Sequence, residues 1–180
     1  VARLSAHPQA DLSDLSIFVR TCLALQVFEQ GGLLFHAAGV VREGKGYALF
    51  GHSGCGKTTA ASLSRGDVVL NDDLILIKPG EPEWQLWGTP FGGDWLPQAR
   101  PVPLHGLLRL VPGQEDQLEA LGPGVILGEV VANSPVINAY PARLPTLLAR
   151  WEGVLRNVPA RALHFRKSPA FWEVIDAEVG

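Results

Sequence analysis

The sequence predicts an α/β fold with a mixed sheet and flanking helices, on three observations. Two apolar, β-prone runs at residues 33–41 and 47–50 are separated by turn-forming residues, which is typical of a hairpin. A glycine-rich loop follows the second run and leads into a short helical segment at 58–64. Helical periodicity recurs at 144–154, where leucines share one face.

Composition restricts the classes of function. The chain has 180 residues, of which 47% are hydrophobic and 18% charged, against about a quarter charged in typical domains. This excludes disorder, predicts one domain over residues 1–180 and is compatible with a homo-oligomer. The formal charge of -3 argues against nucleic acid as a partner. Because the sequence begins at Val1 and not at methionine, we expect further residues before it.

The two cysteines and the apolar segments predict a cytoplasmic protein. Cys22 and Cys55 are too few for a disulfide framework, and Cys55 lies inside the glycine loop, where a crosslink would obstruct a ligand. The most apolar early segment, residues 15–28, is interrupted by polar side chains and cannot comfortably span a bilayer. We therefore expect no membrane partner.

The first helix is expected to begin at a cap formed by Ser13 or Asp14 and to run to about Gln30. It is apolar nearly all round, which predicts a buried helix, and Gly31 and Gly32 are expected to end it. The other expected elements are strands at 68–70, 74–77, 84–87 and 107–111, a short helix near 116–121 and a helix at 144–154.

Residues 51–58 fit the phosphate-loop pattern GxxxxGK[ST] with no substitution. Such a loop turns backbone N–H groups toward phosphate, which requires glycines free of Cβ clashes. Lys57 is expected to reach the β- and γ-phosphates of ATP, and the Thr58 hydroxyl to bind Mg²⁺. The residues expected to bind the nucleotide are Gly51, His52, Ser53, Gly54, Cys55, Gly56, Lys57, Thr58 and Thr59.

A pair of acids follows the loop at a short distance. The apolar run 68–70 leads into Asn71, Asp72 and Asp73, with Asp72 fifteen residues after Lys57. One carboxylate here can hold Mg²⁺ while the other accepts a proton from an attacking hydroxyl. Adjacent acids in one strand point to opposite sides, which would divide these roles. The alternative is a turn with two solvated aspartates.

Residues 33–77 resemble the catalytic domain of HPr kinase/phosphorylase in three features. These features are His36, which lies fifteen residues before Gly51, the phosphate-loop motif, and the acid pair Asp72 and Asp73. More distantly they resemble the phosphoenolpyruvate carboxykinase fold, which that family shares. The resemblance implies a P-loop fold with ATP and Mg²⁺ as cofactors. Thr59 differs from the family, which usually carries an acid there.

The resemblance also implies a role for each matching residue. Asp72 would be the catalytic base, Asp73 and Thr58 would bind Mg²⁺, and Lys57 would contact the phosphates. His36 would lie near the γ-phosphate, where it could donate a hydrogen bond or, as an imidazolium, tune the pKa of Asp72. The alternative for His36 is a structural histidine bonded to the backbone.

Together these observations predict a kinase that phosphorylates a serine or threonine hydroxyl of a protein or peptide. Two alternatives remain: a nucleotide sensor that transfers no phosphoryl group, and a kinase for a small-molecule hydroxyl. A reverse phosphorylase activity is implied by the resemblance alone.

Basic residues are concentrated in the last third of the chain. They form either a solvated surface or a docking site for an acidic acceptor, and one arginine could reach the phosphates. Arg100 is another candidate for that contact, and the helix at 144–154 is expected to expose its arginines. The basic residues are Arg143, Arg150, Arg156, Arg161, Arg166 and Lys167.

Overall fold

The computed structural model of the protein describes residues 11–64, 66–92 and 100–179. Val1, on which the expectation of preceding residues rests, lies outside them. In the described part, a mixed sheet is flanked by helices, as predicted for the fold class. The strands are β1 (Leu33–Arg42), β2 (Lys45–Phe50), β3 (Val68–Asn71), β4 (Leu74–Lys78), β5 (Gln85–Gly88), β6 (Val102–Pro112), β7 (Gln117–Ala120) and β8 (Ala160–Phe165). The helices are α1 (Leu12–Glu29), α2 (Lys57–Leu63), α3 (Pro123–Ala132), α4 (Leu144–Leu155) and α5 (Phe171–Val179).

The predicted hairpin is formed by β1 and β2, which pair antiparallel from Ala37 opposite Phe50 to Arg42 opposite Lys45. Only Glu43 and Gly44 lie in the turn, and both have positive φ, 51° and 79°. This is the two-residue turn whose twist matches that of the strands. The hairpin prediction is confirmed, with a tighter turn than expected.

The sheet brings the end of β2 beside two parallel neighbours. β2 runs parallel to β6, with Phe50 opposite Arg109, and β6 runs parallel to β8. The loop after β2 therefore lies near the carboxyl ends of β6 and β8. In sheets of this kind, that edge is where ligands commonly bind.

Alternating residues of β2 contact hydrophobic clusters on opposite faces of the sheet. Ala48 and Phe50 pack with residues of α1, α3 and α4, whereas Tyr47 and Leu49 pack with residues of α2 and α5. This alternation follows from the two-residue period of a strand. The sheet is thus covered on both faces, which fixes the position of the loop after β2.

Helix α1 is buried only in its C-terminal half. Ala24, Val27 and Phe28 lie in the core, but Leu12 is 83% and Ile17 is 61% exposed. The expectation of a fully buried helix is therefore wrong for its first turns.

Both ends of α1 have defined caps. Asp11 is the N-cap and forms a capping box with Asp14, so the expected cap at Ser13 or Asp14 is displaced to Asp11. At the other end, Gly31 has φ 86°, and the Gly32 N–H donates to the Val27 carbonyl at 2.9 Å. The prediction that the two glycines end the helix is confirmed.

The helix expected at 116–121 is wrong. Gln117–Ala120 is strand β7, which pairs antiparallel with β8, and the following residues form helix α3. Helix α3 begins at Pro123 after Gly122, and it contains further glycines that lower its intrinsic helix propensity. Strand β8 and helix α5 were also not predicted.

Helix α4 confirms the expected helix at 144–154 but not the exposure of its arginines. Leu147, Trp151 and Val154 are buried, whereas Leu148 is exposed. Arg150 turns inward, and its Nη1 donates to the carbonyl oxygens of Phe28 and Gly32 at 2.9 and 2.8 Å.

The Phe28 carbonyl belongs to the last turn of α1 and the Gly32 carbonyl to the residue before β1, so Arg150 links the end of the helix to the start of the sheet. Burial lowers the pKa of Arg150 below its ordinary value.

Candidate active site

The loop between β2 and α2 has the backbone that a phosphate-binding loop requires. Gly54 and Gly56 have φ values of 81° and 105°, which side chains with a Cβ rarely adopt. A Cβ at Gly56 would also lie 2.8 Å from Cζ of Phe165. The glycines of the motif are thus needed for conformation and, at Gly56, for close packing.

Lys57 begins helix α2 and is only 8% exposed. Its Nζ donates to the carbonyl oxygens of Gly51 at 3.1 Å and His52 at 3.4 Å. These contacts hold the ammonium group against the loop. It therefore stands as a fixed positive charge beside the backbone that would surround a phosphate.

The remaining loop side chains differ in exposure. Thr58 is exposed and Thr59 half-buried, and both line the cavity beside the loop. Cys55 is completely buried in the core as a free thiol, so any contribution to binding would come from its backbone. His52 is exposed, and its Nδ1 lies 2.8 Å from the Ser53 carbonyl oxygen.

Asp72 and Asp73 lie in a bend between β3 and β4, not within a strand as expected. The pairing with β1 keeps one register across the bend itself, from Gly39 opposite Asn71 to His36 opposite Leu74, and it shifts only between Gly39 and Val40. The two acids thus lie between β3 and β4, which both pair with β1. Because they are not in a strand, the alternation of strand side chains does not point them to opposite sides.

A buried amide fixes this bend. Asn71 Oδ1 accepts hydrogen bonds from the backbone N–H groups of Asp73 at 2.7 Å and Leu74 at 2.9 Å. Its Nδ2 donates to the Thr89 carbonyl at 2.9 Å, and Thr89 Oγ1 donates to the Leu74 carbonyl at 2.7 Å. Neither Asn71 nor Thr89 was among the residues expected to form the site. The available signal was an Asn directly before two acids, a residue type that often organises turns.

His36 contacts Asp73, with 3.3 Å between Nε2 and Oδ1. Sequence reasoning associated it with Asp72 instead. Burial lowers the pKa of His36 below its ordinary value; the charge of Lys57 acts in the same direction, and that of Asp73 opposes it. These effects favour the neutral imidazole, which can still donate one hydrogen bond.

Arg20 is a member of the site that sequence reasoning missed. Its Nη1 lies 3.0 Å from Asp73 Oδ2, and its guanidinium carbon lies 5.4 Å from the centre of the Phe91 ring. In the sequence it is one polar residue of an apolar helix, 53 positions from Asp73. No local pattern signals such a contact.

These groups surround one polar cavity of about 540 Å³, a size within the usual range of small-ligand sites. It brings together loop residues, both acids, His36 and Arg20. The lining residues are Arg20, His36, Ser53, Gly54, Gly56, Lys57, Thr58, Thr59, Asp72, Asp73 and Gly92. Gly51, His52 and Cys55, which were expected to bind nucleotide, are not among them.

No family model matches the chain, and no curated protein is significantly similar to it. Among the described residues, no helix combines the length and the apolar character needed to cross a membrane.

The donor set fits a magnesium ion that is shared with a nucleotide. No group of three or more histidine, cysteine or acidic side chains that could hold a metal occurs in the described residues. Mg²⁺ in phosphate-transferring sites needs only one or two carboxylates beside phosphate and water oxygens. Thr58, Asp72 and Asp73 line the same cavity and could supply such ligands.

The basic residues of the last third lie away from this cavity. Arg143 pairs with Glu29 at 2.7 Å, and Arg166 pairs with Asp116 at 2.8 Å. Arg156 and Arg161 line a separate, largely apolar cavity of about 560 Å³. Neither these residues nor Arg150, Lys167 and Arg100 line the loop cavity.

Proposed function

We propose that this protein is an ATP- and Mg²⁺-dependent kinase that transfers the γ-phosphoryl group to a serine or threonine hydroxyl of a protein or peptide. The observation that carries the proposal is the shared cavity, in which the phosphate loop faces two aspartates and a histidine. A nucleotide-binding site needs the loop, and transfer to a hydroxyl needs in addition a carboxylate in the same cavity that can accept the acceptor proton.

In this proposal the loop residues bind and orient the triphosphate. The N–H groups of the loop and the ammonium of Lys57 contact phosphate oxygens, and the Thr58 hydroxyl contacts the metal. Mg²⁺, when bound, offsets negative charge on the phosphates. Lys57 is already held at the loop by the Gly51 and His52 carbonyls, so little reorganisation is needed.

Asp72 is assigned as the base and Asp73 as a metal ligand. As the acceptor oxygen forms its bond to the γ-phosphorus, the acceptor proton passes to the Asp72 carboxylate. The bond from that phosphorus to the β,γ-bridging oxygen breaks, and ADP leaves. Asp73 is held by Arg20 and His36, which suits a ligand that must stay in one position.

The proposal includes membership of the P-loop fold that HPr kinase shares with phosphoenolpyruvate carboxykinase. Three features support it: a hairpin with His36 in its first strand, a phosphate loop directly after β2, and an acid bend opposite β1. The mixed sheet with helices on both faces is compatible with that fold.

The test compares the wild type with Asp72→Asn, using γ-labelled ATP, Mg²⁺ and a cell lysate as the source of acceptors. We expect wild type to label a protein or peptide fraction and Asp72→Asn to lose at least about 100-fold of that rate, the usual contribution of a general base. Nucleotide binding is measured in parallel and should change little.

Asp116→Asn is the matched control, because it removes a carboxylate that pairs with Arg166 outside the cavity. Label in a small-molecule fraction would identify a small-molecule kinase instead. Nucleotide binding with no Asp72-dependent transfer would replace the kinase by a nucleotide-sensing module.

A further inference from the structure

Arg20 is placed at the cavity from an element that carries no phosphate-loop motif. It lies on α1, whereas the other charged lining residues come from β1, α2 and the bend after β3. Its guanidinium group is fixed from two directions, by the ion pair with Asp73 and by the ring of Phe91. Such a group is already oriented before a ligand arrives.

Most of the hydrogen-bonding capacity of Arg20 is unused within the described residues. A guanidinium has five N–H donors, and a single bond, from Nη1 to Asp73, is found for Arg20. Its Nε is buried and has no hydrogen-bond partner among the described residues. Because Arg20 lines the polar cavity, a ligand bound there can accept hydrogen bonds from the guanidinium donors that Asp73 leaves unused.

The charges that line the cavity also favour a negatively charged hydrogen-bond acceptor, such as a phosphate. Its permanent cations are Arg20 and Lys57, and its acids are Asp72 and Asp73. The two pairs cancel, so a nucleotide triphosphate with one Mg²⁺ would bring a net negative charge to a site that is neutral overall. Losing either cation would leave an uncompensated negative charge near the phosphates.

We propose that Arg20 binds the terminal phosphate of the nucleotide and thereby selects a triphosphate over a diphosphate. This inference rests on the proposed function, because it requires the loop to bind a nucleotide. Lys57 lies at the loop, whereas Arg20 lies at Asp73, on the side where the acids stand. The planar fork of arginine suits phosphate oxygens better than a lysine at the same place.

The test measures the affinities of ATP and ADP, each with Mg²⁺, for wild type and Arg20→Gln by calorimetry. We expect Arg20→Gln to weaken ATP binding by about 10-fold or more, as loss of a charge-assisted hydrogen bond implies. ADP binding should change by less than about 3-fold, because ADP has no terminal γ-phosphate to contact. Arg20→Lys should keep part of the preference for ATP.

Arg143→Gln is the matched control, since it removes an arginine that pairs with Glu29 away from the cavity. Its affinities for both nucleotides should equal those of the wild type. A similar loss of ATP and ADP affinity in Arg20→Gln would overturn the inference.

A second control separates direct contact from an effect through Asp73. In Asp73→Asn protein, Arg20→Gln should still lower the ratio of ATP to ADP affinity. If Arg20→Gln has no further effect there, Arg20 acts only by holding Asp73, and the inference is wrong.

The failures of the two proposals are distinguishable. A wild-type protein that binds neither nucleotide overturns both of them. A wild type that transfers phosphoryl groups, with an ATP preference unchanged in Arg20→Gln, overturns only the assignment of Arg20.

Discussion

At the scale of single residues, the loop between β2 and α2 owes its shape to glycines for two different reasons. Gly54 has positive φ but open space around it, whereas Gly56 has positive φ and also packs against Phe165. An alanine at either position carries conformational strain, and at Gly56 it also meets a ring edge in the core. Comparing alanine variants at the two positions therefore separates the cost of backbone strain from the cost of steric crowding.

We expect Gly54→Ala to destabilise the protein by about 1–2 kcal/mol, the typical cost of left-handed backbone for a residue with a Cβ. Gly56→Ala should cost about 1–3 kcal/mol more, as overpacking does. Urea denaturation followed by fluorescence measures both. Equal losses in the two variants would mean that Phe165 moves aside without penalty.

A second feature at this scale is the side-chain amide of Asn71, which holds the bend that contains Asp72 and Asp73. Asn71→Asp keeps the acceptor oxygen for the Asp73 and Leu74 N–H groups but removes the donor to Thr89, whereas Asn71→Ala removes both. We expect Asn71→Ala to lower stability by about 1–3 kcal/mol, because it leaves buried polar groups unpaired. In the labelling assay it should also lower transfer, since the bend positions Asp72 and Asp73. Unchanged transfer would show that the bend does not depend on Asn71.

At the scale of secondary-structure elements, helix α5 is attached to the end of β1 by charge. Arg42 donates to Asp176 of α5 at 2.6 and 2.9 Å and to Asp67 at 3.2 Å, and it lies over the Trp172 ring. The hydrogen bond from Arg42 lowers the pKa of Asp176 below its ordinary value of 3.8. The ion pair thus stabilises the packing of α5 only while Asp176 is ionised.

The lowered pKa of Asp176 determines how the stability of the protein depends on pH. A carboxyl group with a lowered pKa in the folded state contributes stability above its unfolded pKa and loses it as the pH falls through the folded value. We expect Asp176→Asn to lower the urea midpoint at pH 7. The difference from wild type should shrink below pH 3.8. Glu173→Gln, on the same helix and outside these ion pairs, is the control, and a difference that persists at low pH would contradict the assignment.

At the scale of the whole molecule, the sequence was informative where structure is local. The glycine-rich loop before α2, the hairpin and α4 follow from short-range patterns, and the structure contains them within a few residues of the predicted bounds. The segment that forms strand β7 was predicted as a helix. Its partner strand β8 lies more than 40 residues away in the sequence, so no local pattern indicates that pairing. Arg20 and the exposed first turns of α1 were missed for the same reason. Both depend on which distant segments of the chain pack against α1, and sequence periodicity carries no information about that packing.

The distribution of burial predicts where the molecule opens first. Strand β2 pairs with β1 on one side and β6 on the other, and Tyr47, Leu49 and Phe50 are fully buried. The first turns of α1 bury little, so fraying them exposes little additional apolar surface. We therefore expect the slowest amide hydrogen exchange in β2, with opening free energies close to that of global unfolding, and much faster exchange over residues 12–19.

Mass spectrometry of exchange in wild-type protein measures both segments in one experiment, and residues 20–29 of α1 serve as an internal reference. Their exchange should lie between the two, because Ala24, Val27 and Phe28 anchor that half of the helix in the core. Uniform protection along α1 would show that its exposed side chains are covered in solution. Fast exchange in β2 would contradict the sheet order, since a strand paired on both sides opens only when its neighbours separate.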